Sequence, residues 1–451
     1  MKFRYLRGAL VVWSVAGILT SAGQAKADDS NAILDLLEKK GVITQQEAEQ
    51  TRQEYQAQQQ KQMTSVVEAS VTNKPSPFVL PFGKEFKLVL GGYIQLNGEF
   101  GNVDAYRGQW TGTGSNNQKQ FDRFKVRRAR LGVWGDFLEN FDFKLMGDFG
   151  QGDGTSPRDN FSGTDLFVNW HQFPEMNIKF GQYDTPFGME QFDIPDMMTL
   201  TPERSQVTEA LRPERQIGVM VWGKPLTTIL PEQKDLITYY LGVFNGNGRN
   251  INVNDNNSFM YMGRVEILPF KGQLFGQPTT WRLGVDAYTS ADASNTVLTT
   301  TGNNWVQKSG TLKALSVQTK GDQRVAFGGD EMFTWGPVTL NAEYLQTHYH
   351  DALSSIHDFT STGYWILGGY QIVPKRWELV GKWETFSPGQ LPSDDLRTVT
   401  GGINWYARGK GPGDITLMLD YMHTWSHFRE MNPSFGASQF DEIMLRTELA
   451  F

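Results

Sequence analysis

A dense run of basic side chains is the first part of this sequence that could do chemistry. Five of the eight residues from 123 to 130 are basic: Arg123, Lys125, Arg127, Arg128 and Arg130. In a confined, wet space, guanidinium groups raise the local concentration of anions and donate forked hydrogen bonds to phosphate or carboxylate oxygens. The alternative is that these residues pair with carboxylates on a solvated wall. The run therefore indicates either an anion-selective surface or an ion-pair network.

A second stretch, residues 185–215, has the composition of a long functional loop. It contains four prolines, and a structureless stretch of this length is usually functional. Its basic residues are Arg204, Arg212 and Arg215. Its acidic residues are more numerous: Glu190, Asp193, Asp196, Glu203, Glu209 and Glu214. Folded into a channel, such a loop would form the narrowest point, and its mixed charge would set a transverse field that admits several kinds of small solute.

Catalytic and metal-binding signatures are weak. The sequence has no Gly-x-Ser-x-Gly elbow, phosphate-cradling glycine loop or His-Glu-x-x-His motif, and it has no cysteine. His348 and His350 have alternate-residue spacing, which copper or zinc could use, but at the outer end of a strand this spacing is usually polar filling. We therefore predict no enzyme activity, no metal and no cofactor, although a Ser/His or Asp/His pair assembled by the fold would escape detection.

The elements that must position these residues are β-strands, because the hydrophobic period is two. Near the end of the chain Ile443, Leu445 and Leu449 share one parity, whereas Glu442 and Arg446 share the other. Successive side chains in a strand point to opposite faces, so one face is apolar and the other is charged. A charged face cannot be the packed core of a sandwich, and it suits a water-filled interior. A final strand with an aromatic end is also typical of outer-membrane β-barrels.

The same alternation recurs often enough to predict sixteen strands, an even number as a bacterial barrel needs. Their ranges are 88–100, 122–137, 141–149, 164–172, 177–184, 216–223, 236–245, 259–268, 280–290, 321–335, 338–348, 362–373, 376–386, 397–407, 414–426 and 440–451. Short and long connections alternate between them, as expected for periplasmic turns and outer loops. Six tryptophans beside the short connections predict an interfacial girdle: Trp134, Trp170, Trp222, Trp335, Trp377 and Trp405.

The N-terminal part differs from the rest. Residues 1–27 read as a secretory signal peptide, with a basic start, an apolar stretch and Ala-Lys-Ala before the cleavage point. Residues 28–83 show two helical patterns and a proline-containing linker, and they would lie in the periplasm. Residues 84–451 would form the barrel. A net charge of −7 argues against a nucleic-acid binder, and no apolar run of helix-spanning length follows residue 27.

Several short motifs resemble the phosphate-selective porin O and P family. They are FKVRRARLGVWG at 124–135, GQYDTPFG at 181–188, Glu-Arg-Ser at 203–205, PERQIGV at 213–219 and GGINWY at 401–406. The resemblance runs from about residue 86 to the end. It implies a sixteen-stranded trimeric porin whose third loop folds into the lumen, with a constriction lined by arginine and lysine that passes phosphate or other anions.

Together these observations predict an all-β protein: a sixteen-stranded antiparallel transmembrane β-barrel with a short N-terminal helical periplasmic segment. It would sit in outer-membrane lipid as a homotrimer and pass small hydrophilic solutes, with a preference for anions. The residues expected to bind them are Lys125, Arg127, Arg128, Arg130, Arg204, Arg212 and Arg215. By parity Arg128 and Arg130 would face the lumen, and Lys125 and Arg127 would lie near the outer rim. The alternatives are a general or sugar-permeable porin guided by Trp365 or Tyr370, and a non-conducting barrel.

Overall fold

One antiparallel sheet that closes on itself dominates the computed structural model, which describes residues 78–81, 86–107, 122–150, 161–254, 256–292, 322–350, 358–389, 392–413 and 415–451. Seventeen strands occur in this described part: β1 (Phe78–Pro81), β2 (Phe86–Gly101), β3 (Arg123–Phe137), β4 (Phe141–Asp148), β5 (Ser162–Phe173), β6 (Met176–Asp184), β7 (Arg215–Gly223), β8 (Ile237–Phe244), β9 (Met260–Leu274), β10 (Gln277–Asp292), β11 (Asp322–Trp335), β12 (Val338–His350), β13 (Phe359–Val373), β14 (Trp377–Ser387), β15 (Leu396–Tyr406), β16 (Thr416–Ser426) and β17 (Gln439–Ala450).

The last strand closes the barrel by pairing with β2, from Glu442 opposite Gly101 to Ala450 opposite Tyr93. Strands β2 to β17 are thus a sixteen-stranded antiparallel barrel, which confirms the predicted number. The short strand β1 pairs with the start of β2, below the point where β17 ends. This strand lies within the segment expected to be a linker. The predicted signal peptide and N-terminal helices lie outside the described residues, in which no helix is long and apolar enough to cross a membrane.

Alternation sorts side chains onto the two faces of the wall. On β13 Trp365 and Leu367 are buried, whereas Tyr364 and Ile366 are exposed on the outer face. The turns at one end are short, for example residues 138–140 between β3 and β4. The predicted tryptophan girdle is only partly correct. Trp134 and Trp222 lie on the inner face, where Trp222 Nε1 donates to Asn169 at 3.0 Å.

A β-bulge in β3 explains how the basic run is placed. Gln95 of β2 lies opposite Arg128, but the next residue, Leu96, lies opposite Val126, so Arg127 is an extra residue in its strand. A bulge of this kind switches the parity of the side chains. Arg128 is therefore inward below the bulge and Lys125 is inward above it. Strict alternation could not place all five basic residues on the inner face, and the bulge is what allows it.

Two loops at the opposite end fold into the barrel. Loop 3, residues 185–214, contains the helices α1 (Met189–Phe192) and α2 (Gln206–Leu211), and a hydrogen bond from Thr185 to the carbonyl of Glu214 closes its base. Apolar loop residues pack in a cluster with inner-face residues of the wall. From the loop these are Phe187, Met189, Val207 and Leu211; from the wall they include Tyr183, Phe244, Tyr288, Leu345, Trp365 and Phe386.

Loop 1 begins at residue 102 and turns inward at once. Gly101 has a φ of +96°, and a side chain there would meet the carbonyl oxygen of Asp441. A 3₁₀ turn, Ala105–Arg107, follows and is buried. Ala105 packs against Leu396 and Phe440, and Tyr106 packs against Met422 and Met444, all on the inner faces of β15–β17. Loop 1 therefore covers a part of the wall that loop 3 does not.

Candidate functional site

Asp196 of loop 3 is the centre of one group of ion pairs. Arg128 lies 3.2 Å from it, and Arg130 and Arg204 also bind it. Arg130 in addition contacts Asp148, at 2.9 Å. Burial alone would raise the pKa of Asp196, but the three guanidinium groups hold it well below its ordinary value. The structure thus brings three of the predicted site residues together around one loop carboxylate.

Glu203 is the centre of a second group. Its carboxylate accepts from Arg127 at 2.8 and 3.0 Å, from Arg446 at 2.6 Å and from Arg107 at 2.9 Å. Asn97 of β2 donates to it as well, at 3.3 Å. Burial alone would raise the pKa of Glu203, yet the three guanidinium groups keep it well below its ordinary value. Arg127 lies at the bulge of β3 and reaches the carboxylate of Glu203 inside the barrel.

The three residues of the motif Glu203-Arg204-Ser205 each make a different structural contact. Glu203 binds the wall, as described above. Arg204 holds the earlier half of loop 3 through the carbonyls of Glu190, at 2.9 Å, and Ile194, at 2.7 Å. The hydroxyl of Ser205 accepts from the backbone N–H of Val207 and so caps α2. The motif fixes the backbone of the loop where its acidic side chain meets the arginines.

The other predicted residues lie close by but serve different contacts. Lys125 pairs with Glu99 of β2 at 2.7 Å. Arg215, at the start of β7, pairs with Asp165 at 3.0 Å and with Asp184 at 2.7 Å. Arg212 binds within loop 3, to Glu209 at 2.9 Å, and also contacts Gln191 and Glu214. The pairs of Arg212 and Arg215 lie at the base of the loop, whereas that of Lys125 joins β2 to β3.

The opposite wall uses the reverse arrangement, because its carboxylates accept hydrogen bonds from loop 3. Asp286 of β10 accepts from the N–H of Gly188 at 3.1 Å. Glu343 of β12 accepts from the N–H of Glu190 at 2.9 Å and from the hydroxyl of Thr208 at 2.8 Å. Glu384 of β14 accepts from the N–H of Gln206 at 3.2 Å. On this side wall carboxylates therefore hold the loop, beside Arg264 of β9 and Arg282 of β10.

Four further arginines belong to these contacts although they were not predicted. Arg264 and Arg282 bind Asp193 at 2.9 and 2.8 Å, and Arg446 and Arg107 bind Glu203. Arg446 shares its parity with other charged residues of the last strand, so its inward position could be predicted from the sequence. Arg107 lies in a loop and carries no such signal.

Two further expectations concern the aromatic residues of the lumen and the histidine pair. Trp365 is inward but only 1% exposed beneath loop 3, and Tyr370 is on the outer face, so neither lines an open path.

His348 and His350 meet Asp358, with ligand atoms within 4.8 Å of one another. His348 Nδ1 lies 2.7 Å from the Thr360 hydroxyl and His350 Nδ1 lies 2.8 Å from Asp358. Both imidazoles therefore already have polar partners.

Solved structures share this architecture at low sequence identity. The outer-membrane protein OmpT of Vibrio cholerae, in a form lacking loop L8, gives a TM-score of 0.51 at 10% identity over 82% of this chain and 100% of its own. Its in-vitro folded trimer form gives 0.51 at 9% identity, over 82% and 100%. An anion-selective porin from Comamonas acidovorans gives 0.50 at 13% identity, over 81% and 100%. These likenesses show the fold alone.

Sequence comparison supplies the family. A search of the curated proteins found no match. The family model described as "Phosphate-selective porin O and P" matches residues 94–451, which run from the middle of β2 to the end of the chain. The match includes loop 3 and every strand from β3 to β17. The chain therefore belongs to the phosphate-selective porin O and P family of the Gram-negative outer membrane.

Proposed function

We propose that this protein is an outer-membrane diffusion channel for small hydrophilic solutes with a preference for anions. The observation that carries the preference is the basic run of β3, whose bulge directs Lys125, Arg127, Arg128 and Arg130 into the barrel. Guanidinium groups replace part of the hydration shell of an oxyanion with directed N–H donors. Anions would follow this side of the lumen past loop 3.

The carboxylates of the opposite wall favour a second candidate, a general porin. Asp286, Glu343 and Glu384 are inward and face the arginine side across loop 3. Charges of opposite sign across a narrow pore set a transverse field, which orients dipolar solutes without selecting one sign of ion. The two candidates differ in ion selectivity and not in conductance.

Reversal potential in a salt gradient separates them. Purified protein in a planar bilayer should conduct and should pass chloride more readily than potassium. Changing Arg128 and Arg130 together to Gln should lower the anion-to-cation permeability ratio by roughly fivefold, equivalent to about 1 kcal/mol. Lys375→Gln, which removes an exposed charge from the turn between β13 and β14, should leave the ratio unchanged. Cation preference in the unaltered protein would refute the anion preference, and an inserted protein that never conducts would refute the channel.

The remaining parts of the proposal concern assembly and processing. We propose that the barrel lies in outer-membrane lipid, because the outer face of strands such as β13 and β14 is apolar, with Ile366, Leu379 and Trp383 exposed. We propose further that three barrels associate, as in the trimer form of OmpT from Vibrio cholerae. We also propose cleavage after residue 27 and a periplasmic position for residues 28–83. Cross-linking of the purified protein and N-terminal sequencing of the mature chain test these two points.

A further inference from the structure

Three glycines form a row on the outer face of the barrel. Gly368 of β13 lies opposite Gly381 of β14, and Gly381 lies opposite Gly401 of β15. They share the parity of exposed apolar residues in their strands, such as Ile366 and Leu379. Neighbouring strands are about 4.8 Å apart, so the three positions extend for roughly 10 Å across the wall. They are called the glycine row below.

Nothing within the chain explains why these three positions lack side chains. None of the three has a positive φ, so the backbone conformation does not require glycine. A Cβ atom added at Gly368, Gly381 or Gly401 would meet no protein atom within 4 Å. Glycine inside a strand is otherwise unfavourable and often marks a place where a ligand or another chain approaches closely. The glycine row therefore leaves room for a molecule outside the barrel wall.

The glycine row lies at the bottom of an apolar groove. Next to Gly368 and Gly381 the groove has a volume of about 470 Å³, which is within the roughly 300–1,000 Å³ of ligand pockets. Apolar side chains border it: Phe333, Leu340, Tyr370 and Leu379. Tyr421, opposite Gly401, leaves the row uncovered, because its hydroxyl binds Asp441 toward the loop end of the barrel. A molecule that fills the groove must therefore be apolar along its length.

Two pairs of tryptophans show the depth of the glycine row in the membrane. Trp377 and Trp405 lie opposite each other toward the short turns, with ring centroids 6.2 Å apart. Trp383 and Trp425 lie toward the loops, with ring centroids 6.1 Å apart. Tryptophan is enriched at both membrane–water interfaces. Because Gly381 lies between Trp377 and Trp383 in β14, the row is at the depth of the hydrocarbon core.

A single arginine lies above the groove. Within β13, β14 and β15, all of which the structure describes completely, Arg397 is the one charged residue on the outer face. Its side chain is 51% exposed and binds Asp395 at 2.9 Å, and a guanidinium has five N–H donors to share among acceptors. Arg397 precedes Gly401 by four residues, so it lies about 13 Å along the strand and, at the usual strand tilt, roughly 10 Å nearer the outer surface.

We propose that the outer face of β13–β15 binds one lipid of the outer leaflet, with an acyl chain over the glycine row and a headgroup phosphate on Arg397. Guanidinium groups bind phosphate through forked hydrogen bonds. A phosphate-bearing lipid presents an anion and then hydrocarbon in the order in which the wall presents Arg397 and the groove. A second barrel is the competing occupant. It would have to supply both an apolar ridge and a carboxylate at matching heights.

The test is native mass spectrometry of the detergent-solubilised protein with added diphosphoryl lipid A. The unaltered protein should retain one lipid A per barrel. Gly381→Leu fills the middle of the row and should raise the Kd for lipid A roughly tenfold, equivalent to about 1.4 kcal/mol. Gly329→Leu is the matched control: this glycine is also on the outer face, but its cross-strand partners are Val285 and Tyr344. Its Kd should stay within about twofold of the original.

A second lipid separates the headgroup contact from the groove. Arg397→Gln should raise the Kd for lipid A roughly fivefold, equivalent to about 1 kcal/mol, and should leave the Kd for uncharged dipalmitoylglycerol unchanged. Gly381→Leu should weaken the binding of both lipids, because both have acyl chains. Equal weakening of the two lipids by Arg397→Gln would refute the contact between Arg397 and the phosphate.

Three results would overturn the lipid site. Equal shifts in Gly381→Leu and Gly329→Leu would mean that lipids coat the barrel without a preferred place, and no shift in Gly381→Leu would mean that the groove binds none. The same spectra give the mass of the assembly. If Gly381→Leu dissociates a trimer while each barrel keeps its lipid A, the glycine row belongs to a second copy. Should Gly381→Leu fail to insert, Gly401→Leu makes the same test at the end of the row.

Discussion

Loop 3 is held by opposite chemistry on its two sides. Against β10–β14, wall carboxylates accept hydrogen bonds largely from the backbone of the loop, as Glu343 does from the N–H of Glu190. Against β3 and β17, wall arginines bind carboxylate side chains of the loop, Asp196 and Glu203. The first side also carries the apolar cluster around Phe187. Apart from Asp193, which binds Arg264 and Arg282 of β9 and β10, the loop thus has an amide side and a carboxylate side.

The two sides of loop 3 differ in whether a solute can replace the contacts that they make. A backbone N–H cannot leave its place without unfolding the loop, and a passing anion cannot substitute for it as a donor. A carboxylate side chain can rotate away from its arginines. An anionic solute can then accept hydrogen bonds from the same arginines. The amide side therefore anchors the loop, and under the proposed channel function the carboxylate side is where anions would meet the arginines.

The largest effect should follow from removing the apolar anchor. Phe187 is fully buried and contacts Tyr288 edge-on, with ring centroids 4.9 Å apart. Phe187→Ala should lower the free energy of unfolding by about 3–5 kcal/mol, because it leaves a cavity in a packed cluster. Urea unfolding in detergent measures this, and the loss should not depend on salt. Phe275→Ala, in an exposed turn, is the control. A salt-dependent loss would place the main anchor on the carboxylate side.

A smaller effect should follow from removing one acceptor on the amide side. Glu343→Ala would leave the N–H of Glu190, the hydroxyl of Thr208 and the indole N–H of Trp365 without their acceptor. Unsatisfied buried donors of this kind should cost about 1–3 kcal/mol in the free energy of unfolding. Glu343→Gln retains one oxygen and should cost less than half as much. Equal losses in the two variants would mean that charge, and not the hydrogen bonds, holds this side.

The barrel could be predicted almost completely from the sequence. All sixteen predicted strands occur. A wall with one apolar and one charged face requires apolar and polar residues to alternate along each strand, and this alternation is visible in the sequence. The charged parity also marked inward residues such as Arg446. Alternation in a strand needs no knowledge of distant partners, so strand positions are a local property of the chain.

The site could be predicted only in part, because it depends on contacts between distant segments. The basic run was visible, but the bulge at Arg127 depends on the register between β2 and β3. The acidic excess of loop 3 suggested a mixed constriction, whereas Asp193, Asp196 and Glu203 each meet arginines from the wall. Arg107 enters the site because Gly101 turns loop 1 inward. No period in the sequence encodes that turn.

The smallest effect should come from lowering the pH, which acts on the carboxylate side of loop 3. Arginines hold the pKa values of Asp196 and Glu203 well below their ordinary values, so both are ionised in the folded protein. A carboxyl group with a depressed folded pKa stabilises fully above its unfolded pKa, and this is lost as the pH falls through the folded pKa. A loop released from the wall would fluctuate in the lumen, so the single-channel noise that depends on these two carboxylates should stay constant from about pH 7 to 5 and rise only in stronger acid, below the ordinary carboxyl range. Because the apolar cluster around Phe187 does not titrate, Phe187→Ala should be noisier at every pH without a steeper rise in acid. Asp196→Asn should be noisier at neutral pH and should show a weaker rise. A rise between pH 7 and 5 that Asp196→Asn abolishes would mean that the arginines do not hold Asp196 ionised, and the contrast between the two sides would fail.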